Sequence, residues 1–233
     1  MSSEGLLFVL GEPGSLVSEQ DFNAWYDIDH APARLTVPGF NSASRYKAHD
    51  TEKPTWLAIY DLDTADTAYN DAYKSLSADA PQYEKDLVPK LETLDRRIYK
   101  LVQTAKDSTF ESSLPLAAPP FFLVVESSVS DEYHDDYNKW YTDHLQEVVD
   151  VPGCIRGRRF KLDSSIELTG KPPQTGLQHQ YVVLYDWASD NLTFETNPEL
   201  AEVAKRAAAL EISSKIKISI RRFQLHKEFT TSG

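Results

Sequence analysis

The stretch FNAWYDIDHAPARLTVPG, Phe22 to Gly39, is answered by YNKWYTDHLQEVVDVPG, Tyr137 to Gly153. An aromatic residue, an Asn, a Trp-Tyr pair, an acidic residue before a His and a Val-Pro-Gly recur in the same order. The offset is 114 residues from His30 to His144, from Pro38 to Pro152 and from Arg45 to Arg159. It becomes 125 from Tyr60 to Tyr185 and from Arg96 to Arg221, so the second copy carries a longer loop, placed at Asp163 to Gln178. A period of this length is too long for a solenoid unit and suits a small domain, which makes the chain two similar domains in tandem.

With 233 residues, 41% hydrophobic and 26% charged, the chain is long and apolar enough to bury a core. Its formal charge of -12 leaves no basic surplus to neutralise phosphates, which argues against nucleic acid or an anionic membrane as partner. A local basic cluster, Arg156, Arg158, Arg159 and Lys161, stands out against that background. Cys154 is the single cysteine, so no intramolecular disulfide can form. The N-terminal MSSEGLLFVLGEPG lacks a basic segment and a long apolar run, and no other stretch reaches membrane-spanning length; a cytoplasmic location is expected.

Leu6 to Leu10 and Phe121 to Val125 are short apolar runs that read as buried strands opening each repeat. Ser18 to about Leu35 and Ser130 to about Val149 read as helices, with both serines as N-caps and Pro32 expected to bend or end the first near Ala31. The Pro-Gly pairs at 38–39 and 152–153 turn the chain into strands at Asn41 to Ala48 and Ile155 to Leu162. TWLAIYDL, Thr55 to Leu62, and YVVLYDW, Tyr181 to Trp187, are the clearest strands, rich in aromatic and branched residues. Helices follow at Thr64 to Leu76, near Tyr83 to Leu91, and from Asn191 or Pro198 to Leu210. Alternating residues from Arg97 to Val102 and from Lys215 to Leu225 close the repeats as strands.

Each half thus spells βαββαβ, the ferredoxin-like order. The expected fold is α+β, two ferredoxin-like repeats at 1–104 and 119–233, joined by a linker at 105–118 and packed sheet to sheet. A cavity between each sheet and its first helix is the natural place for a small ligand.

WYDIDHAPARLTVPGF followed by SRYK resembles the EthD-like branch of the dimeric α+β barrel superfamily. Trp25, Tyr26, Asp29, His30, Pro32, Pro38, Gly39 and Arg45 carry the likeness in the first repeat, and Trp140, Tyr141, Asp143, His144, Pro152, Gly153 and Arg159 in the second. The second copy lacks a partner for Pro32 and has one residue fewer between Trp and His. The resemblance covers nearly the whole chain and implies an intramolecular dimeric α+β barrel. Relatives include cyclases, dehydratases, isomerases, cofactor-free oxygenases and proteins of no assigned activity, so it does not choose a chemistry.

A His with a pKa near about 6.5 can take a proton from carbon or oxygen and return it elsewhere, as aldol cyclisation, dehydration and keto-enol isomerisation require. His30 and His144 are the candidate acid–base residues, with Tyr26, Tyr60 and Arg45 as catalytic partners. Trp25, Asn23, Trp140, Tyr141, Arg159 and Tyr185 are candidate substrate contacts. Asp29 and Asp143, adjacent to the His, point about 100° away on a helix, so an orienting group is expected from a strand, at Tyr60 or Arg45 and at Tyr185 or Arg159. Each His equally suits a structural hydrogen bond beside its Pro-Gly turn, and the tryptophans suit a core. His134, Asp135 and Asp136 read as a solvated helix start, and the Asp of each Tyr-Asp pair, Asp61 and Asp186, as serving the next turn.

No i+4 His pair or Cys cluster supports a metal, and no phosphate loop or nucleophile elbow is present. Cys154 reads as an inert buried thiol. The expected function is a cofactor-independent cyclase, dehydratase or isomerase acting on an apolar carbonyl compound, with a non-catalytic, stress-related binding protein and a cofactor-free monooxygenase as alternatives. No cofactor is expected, with haem kept as a minor alternative; the partner is a small molecule, and a homo-oligomer is allowed for. The first repeat, with the fuller motif, is expected to be the active one.

Overall fold

The computed structural model describes residues 3–107, 118–172 and 179–230. In the first repeat, β1 (Gly5–Glu12), β2 (Phe40–Ala48), β3 (Trp56–Leu62) and β4 (Thr93–Lys106) form an antiparallel sheet in the order β4-β1-β3-β2. In the second, β5 (Phe121–Val129), β6 (Cys154–Glu167), β7 (Tyr181–Trp187) and β8 (Ile216–Phe229) repeat that order as β8-β5-β7-β6. This is the ferredoxin-like arrangement read from the sequence. β1 and β7 are buried along their whole length on both faces, which is why they read as unbroken apolar runs.

The chain divides into two units that interleave along the sequence. One holds the first repeat as far as Leu101 together with the ends of β6 and β8, from Leu162 and Leu225. The other takes the chain from Val102 to Lys161, and β7 through to Gln224. The strands β4, β6 and β8 that supply these ends are each 14 residues long, beyond the strands expected at Arg97 to Val102, Ile155 to Leu162 and Lys215 to Leu225. The expected loop at Asp163 to Gln178 therefore begins as strand, to Glu167. Most of the expected linker, 108–117, lies outside the described residues.

Strand registers refine the match between repeats. Leu7 lies opposite Tyr60 and Ile98, and Leu123 lies opposite Tyr185 and Arg222. Arg96 thus corresponds to Ile220, and not to Arg221 as the sequence spacing implied.

The first helical segment differs from its expectation in one informative way. Ser18 caps it as read, its Oγ accepting from the Asp21 N–H at 3.0 Å, and α1 (Glu19–Ala24) begins. Trp25–His30 is then a π-helix, and α2 (Ala31–Leu35) continues past Pro32 without ending there. The Ala31 N–H bonds the Tyr26 carbonyl, five residues back. Pro32 has no N–H to offer the next carbonyl in that ladder, and the Asp27 oxygen accepts instead from Lys227 Nζ at 3.4 Å. The second repeat has no such bulge: α5 (His134–Val149) is regular, entered by a 3-10 turn at Asp131–Tyr133, and Ser130 makes no side-chain cap.

The π-helix absorbs the one extra residue between Trp and His. Without it, the i+5 spacing of Trp25 and His30 would rotate the imidazole off the tryptophan's face. With it, the two rings lie 4.4 Å apart, matching 4.5 Å between Trp140 and His144 at i+4 spacing. Gly39 (φ 92°) and Gly153 (φ 100°) then turn each chain into its second strand in a conformation side chains resist. The second-layer helices are α3 (Asp71–Ala78) and the short α4 (Gln82–Leu87) in the first repeat, and α6 (Pro198–Ala208), capped by Asn197, in the second. Deleting Ile28, which is 69% exposed, should convert the bulge to a regular helix and keep the fold, with a melting temperature within a few degrees of wild type by circular dichroism.

Candidate functional site

Each repeat builds the same frame from its first helix and second strand. Arg45, 1% exposed, donates to Asn23 Oδ1 at 2.8 Å and to Asp27, and its guanidinium lies 4.5 Å from the Tyr26 ring and 4.6 Å from Trp56. Arg159, equally buried, donates to Asn138 Oδ1 at 2.7 Å and sits 4.4–4.8 Å from the rings of Tyr137, Tyr141 and Tyr181. Arg45, Arg159 and Asn23 were expected at a ligand; with Asn138 they hold helix to strand. Tyr60 donates to Tyr26 Oη at 3.4 Å, and burial raises the pKa of both phenols.

The two histidines part company at this point. His30 is 7% exposed and sits against Trp25, 4.4 Å away, and Tyr26, 4.8 Å away. Burial, then the Arg34 charge, pushes its pKa down to about 3 against the pull of Glu84, so the ring is neutral at neutral pH. Its Nδ1 is 3.2 Å from Glu84 Oε1, and since a carboxylate only accepts, Nδ1 carries the hydrogen. Trp25 Nε1 donates to the other oxygen, Oε2, at 2.9 Å. Burial works to raise the Glu84 carboxyl, but the His30 and Trp25 donors and Arg34 hold it down at about 2. The orienting partner of His30 therefore comes from helix α4 and not from a strand, and Tyr60 and Arg45 face other groups. Sequence gave no signal for it: Glu84 lies 54 residues from His30 in a short helix with no buried residue.

His144 faces something different. It stacks on Trp140 at 4.5 Å and 19°, and it lines a cavity of about 480 Å³ with Trp140, Tyr141 and Tyr185. The rest of that wall is mostly apolar, from Leu123 and Val203 to Ile216, Ile218 and Ile220, and it includes Phe194, which is 46% exposed. The volume is in the range of small-molecule sites. Of the two imidazole nitrogens, Nδ1 is enclosed without a hydrogen bond, and its nearest carboxylate is Glu147 Oε2 at 3.6 Å. Burial lowers the pKa of His144, with Glu147 opposing, so the ring is a neutral base at neutral pH. Arg206 lies 4.0 Å from the same Glu147 oxygen.

Other expected residues have structural work. His134 Nε2 pairs with Tyr181 Oη at 2.8 Å and is not a solvated helix start. Asp186 is fully buried and serves no turn: Arg156 Nε donates to it at 2.8 Å and Arg158 Nη2 is 3.7 Å away, which accounts for two members of the basic cluster. Asp61 accepts from Ser42 Oγ at 3.0 Å. Burial raises the Cys154 thiol, which keeps it unreactive. Among the described residues, no three His, Cys, Asp or Glu side chains are grouped to hold a metal ion, and no helix is long and apolar enough to cross a membrane.

No family model and no curated protein matches the chain. Solved structures do. An anthrone oxidase-like protein is similar with a TM-score of 0.62 at 10% identity, over 100% of this chain and 95% of its own. A proposed monooxygenase from Fusobacterium nucleatum subsp. nucleatum gives 0.60 at 10% identity over 100% and 97%, and a proposed chlorite dismutase gives 0.51 at 16% over 96% and 95%. At these identities the likeness is one of fold, and that fold is the dimeric α+β barrel class of two ferredoxin-like repeats.

A pH titration tests the His30 clasp. The unfolded chain takes up a proton near 6.5 while the folded chain resists until about 3, so stability is complete above pH 6.5 and is lost as pH falls. Glu84 adds a loss that begins only below 4.5. The melting temperature should therefore decline between pH 6.5 and 5, and His30→Asn should reduce that slope; equal slopes would show that His30 is not the group responsible.

Proposed function

We propose that this chain is a cofactor-independent enzyme of the EthD-like type that acts on an apolar carbonyl compound in the second-repeat cavity, with His144 as its base. The observation that carries this reading is the contrast between repeats: one Trp-Tyr-His constellation is closed by Glu84, and the other borders an apolar cavity of about 480 Å³. It reverses the preference for the first repeat, whose fuller motif goes with a filled space, and leaves His30 a structural role.

Glu147 beside the enclosed Nδ1 favours the proton there, which leaves the Nε2 lone pair for the ligand. A neutral imidazole in that state takes a proton from the carbon next to a carbonyl, giving an enolate. Returning the proton elsewhere completes an isomerisation, dehydration or cyclisation. Tyr141 and Tyr185, whose phenols burial keeps protonated, and the apolar wall exclude water from the enolate.

A second reading is supported by the fold likeness to oxidase-like and monooxygenase-named proteins. There the same carbanion adds dioxygen at carbon, and the resulting hydroperoxide loses water to leave a new carbonyl. Both readings share the first step. Incubation with 2-tetralone in D2O, with α-deuteration read by mass spectrometry and oxygen by an electrode, tests them together. His144→Ala should cut protein-dependent exchange by about 100-fold or more without lowering the melting temperature appreciably. Oxygen uptake in step with substrate loss selects the oxygenase; exchange indifferent to His144 leaves a binding protein.

A further inference from the structure

In the first repeat, the Trp-His pair already holds an anion. Glu84 presents one oxygen to Trp25 Nε1 at 2.9 Å and the other to His30 Nδ1 at 3.2 Å. A carboxylate, O–C–O, has the planar three-atom shape of an enolate, O–C=C. With one end on the indole N–H and the other on the imidazole, Glu84 shows that the Trp-His pair holds a planar anion, with an oxygen on the Trp N–H.

The second repeat keeps the pair and lacks the internal carboxylate. Trp140 lines the cavity beside His144, and among the described residues its indole N–H has no acceptor. The imidazole lies flatter on the indole than in the first repeat, 19° against 55°, with Nδ1 turned to Glu147.

A separate observation favours negative charge behind the cavity's Tyr141 wall. Arg45 has the Asp27 carboxylate as counter-ion, but Thr142 stands at the corresponding position of the second repeat. Arg159, 1% exposed, has Asn138 and three ring faces, and no carboxylate within ion-pair distance among the described residues. Its guanidinium carbon is 4.7 Å from the ring of Tyr141, which lines the cavity. A desolvated cation without a counter-ion favours an anion nearby.

We infer that Trp140 is a catalytic residue: its Nε1–H holds the oxygen that becomes negative as His144 takes the proton, and the site accordingly also binds apolar carboxylates as enolate mimics. The inference rests on the second-repeat cavity being the working site. The sequence marks Trp140 only as a candidate substrate contact; the first repeat's own carboxylate assigns the N–H a charge to carry. One donor of this kind contributes about 100-fold or more to turnover.

Trp140→Phe keeps the ring and removes the N–H. In the 2-tetralone exchange assay it should lower kcat by about 100-fold with KM changed less than threefold and the melting temperature held, while Trp25→Phe lowers the melting temperature and leaves kcat in place. By calorimetry, 2-naphthoate should bind the wild type at least tenfold more tightly than 2-naphthamide, and Trp140→Phe should abolish that preference. If His144→Ala stops exchange but Trp140→Phe does not, and acid and amide bind alike, the role of Trp140 is overturned and the site stands. If neither variant affects exchange and neither naphthalene compound binds, the cavity reading itself falls.

Discussion

A guanidinium taken out of water must be met by acceptors and polarisable surface, or the fold that buries it is not stable. Each repeat meets most of that demand alike: an Asn from the first turns of the first helix accepts from the Arg of the second strand and aromatic rings lie over the guanidinium, while the first repeat alone adds a carboxylate, Asp27. The contact fixes how the helix is rotated on its sheet. Everything that follows along the helix, the Trp, the Tyr and the His one turn later, takes its direction from there. Removing one member of such a buried set costs about 3–5 kcal/mol, since the rest are left desolvated and unpaired. That is why Phe or Tyr, Asn, Trp-Tyr and a later Arg recur in both copies.

On that shared frame the repeats have diverged by what fills the space next to the His. In the first, α4 delivers a carboxylate, and Leu76, Leu87 and Val88 pack against the core. In the second, a single longer helix, α6, stands over the sheet, and Ile218 and Ile220 of β8 stay about half exposed at a cavity wall. The chemistry of the two imidazoles then differs through surroundings alone. Both are neutral, but one gives its N–H to a fixed anion and the other has a nitrogen left for a visitor.

The β-strands, the Pro-Gly turns and the ferredoxin-like order were legible because each rests on local signals: β-branched and aromatic runs, a glycine needed at positive φ, a change of hydrophobic period. The duplication was legible because a rotation-fixing set of residues recurs in order. What escaped had long-range or compensating causes. Glu84 is one acidic residue among many on an exposed-looking helix, and only the folded chain brings it to Trp25 and His30. Asp186 looked like a turn residue because the arginines that neutralise it lie on the neighbouring strand, at Arg156 and Arg158. The extra residue between Trp25 and His30 looked like a break in the pattern; the π-helix makes it part of the pattern.

The internal carboxylate of the first repeat also bears on valence. A chain made of two like halves invites the expectation of two equivalent binding events, with the interplay between them that such symmetry permits. Glu84 satisfies one pair of donors from within the chain, so a free solute must compete there with an intramolecular partner. With the second-repeat cavity as the working site, the duplicated sequence yields a monovalent receptor, for which the expected saturation curve is a simple hyperbola with one equivalent per chain.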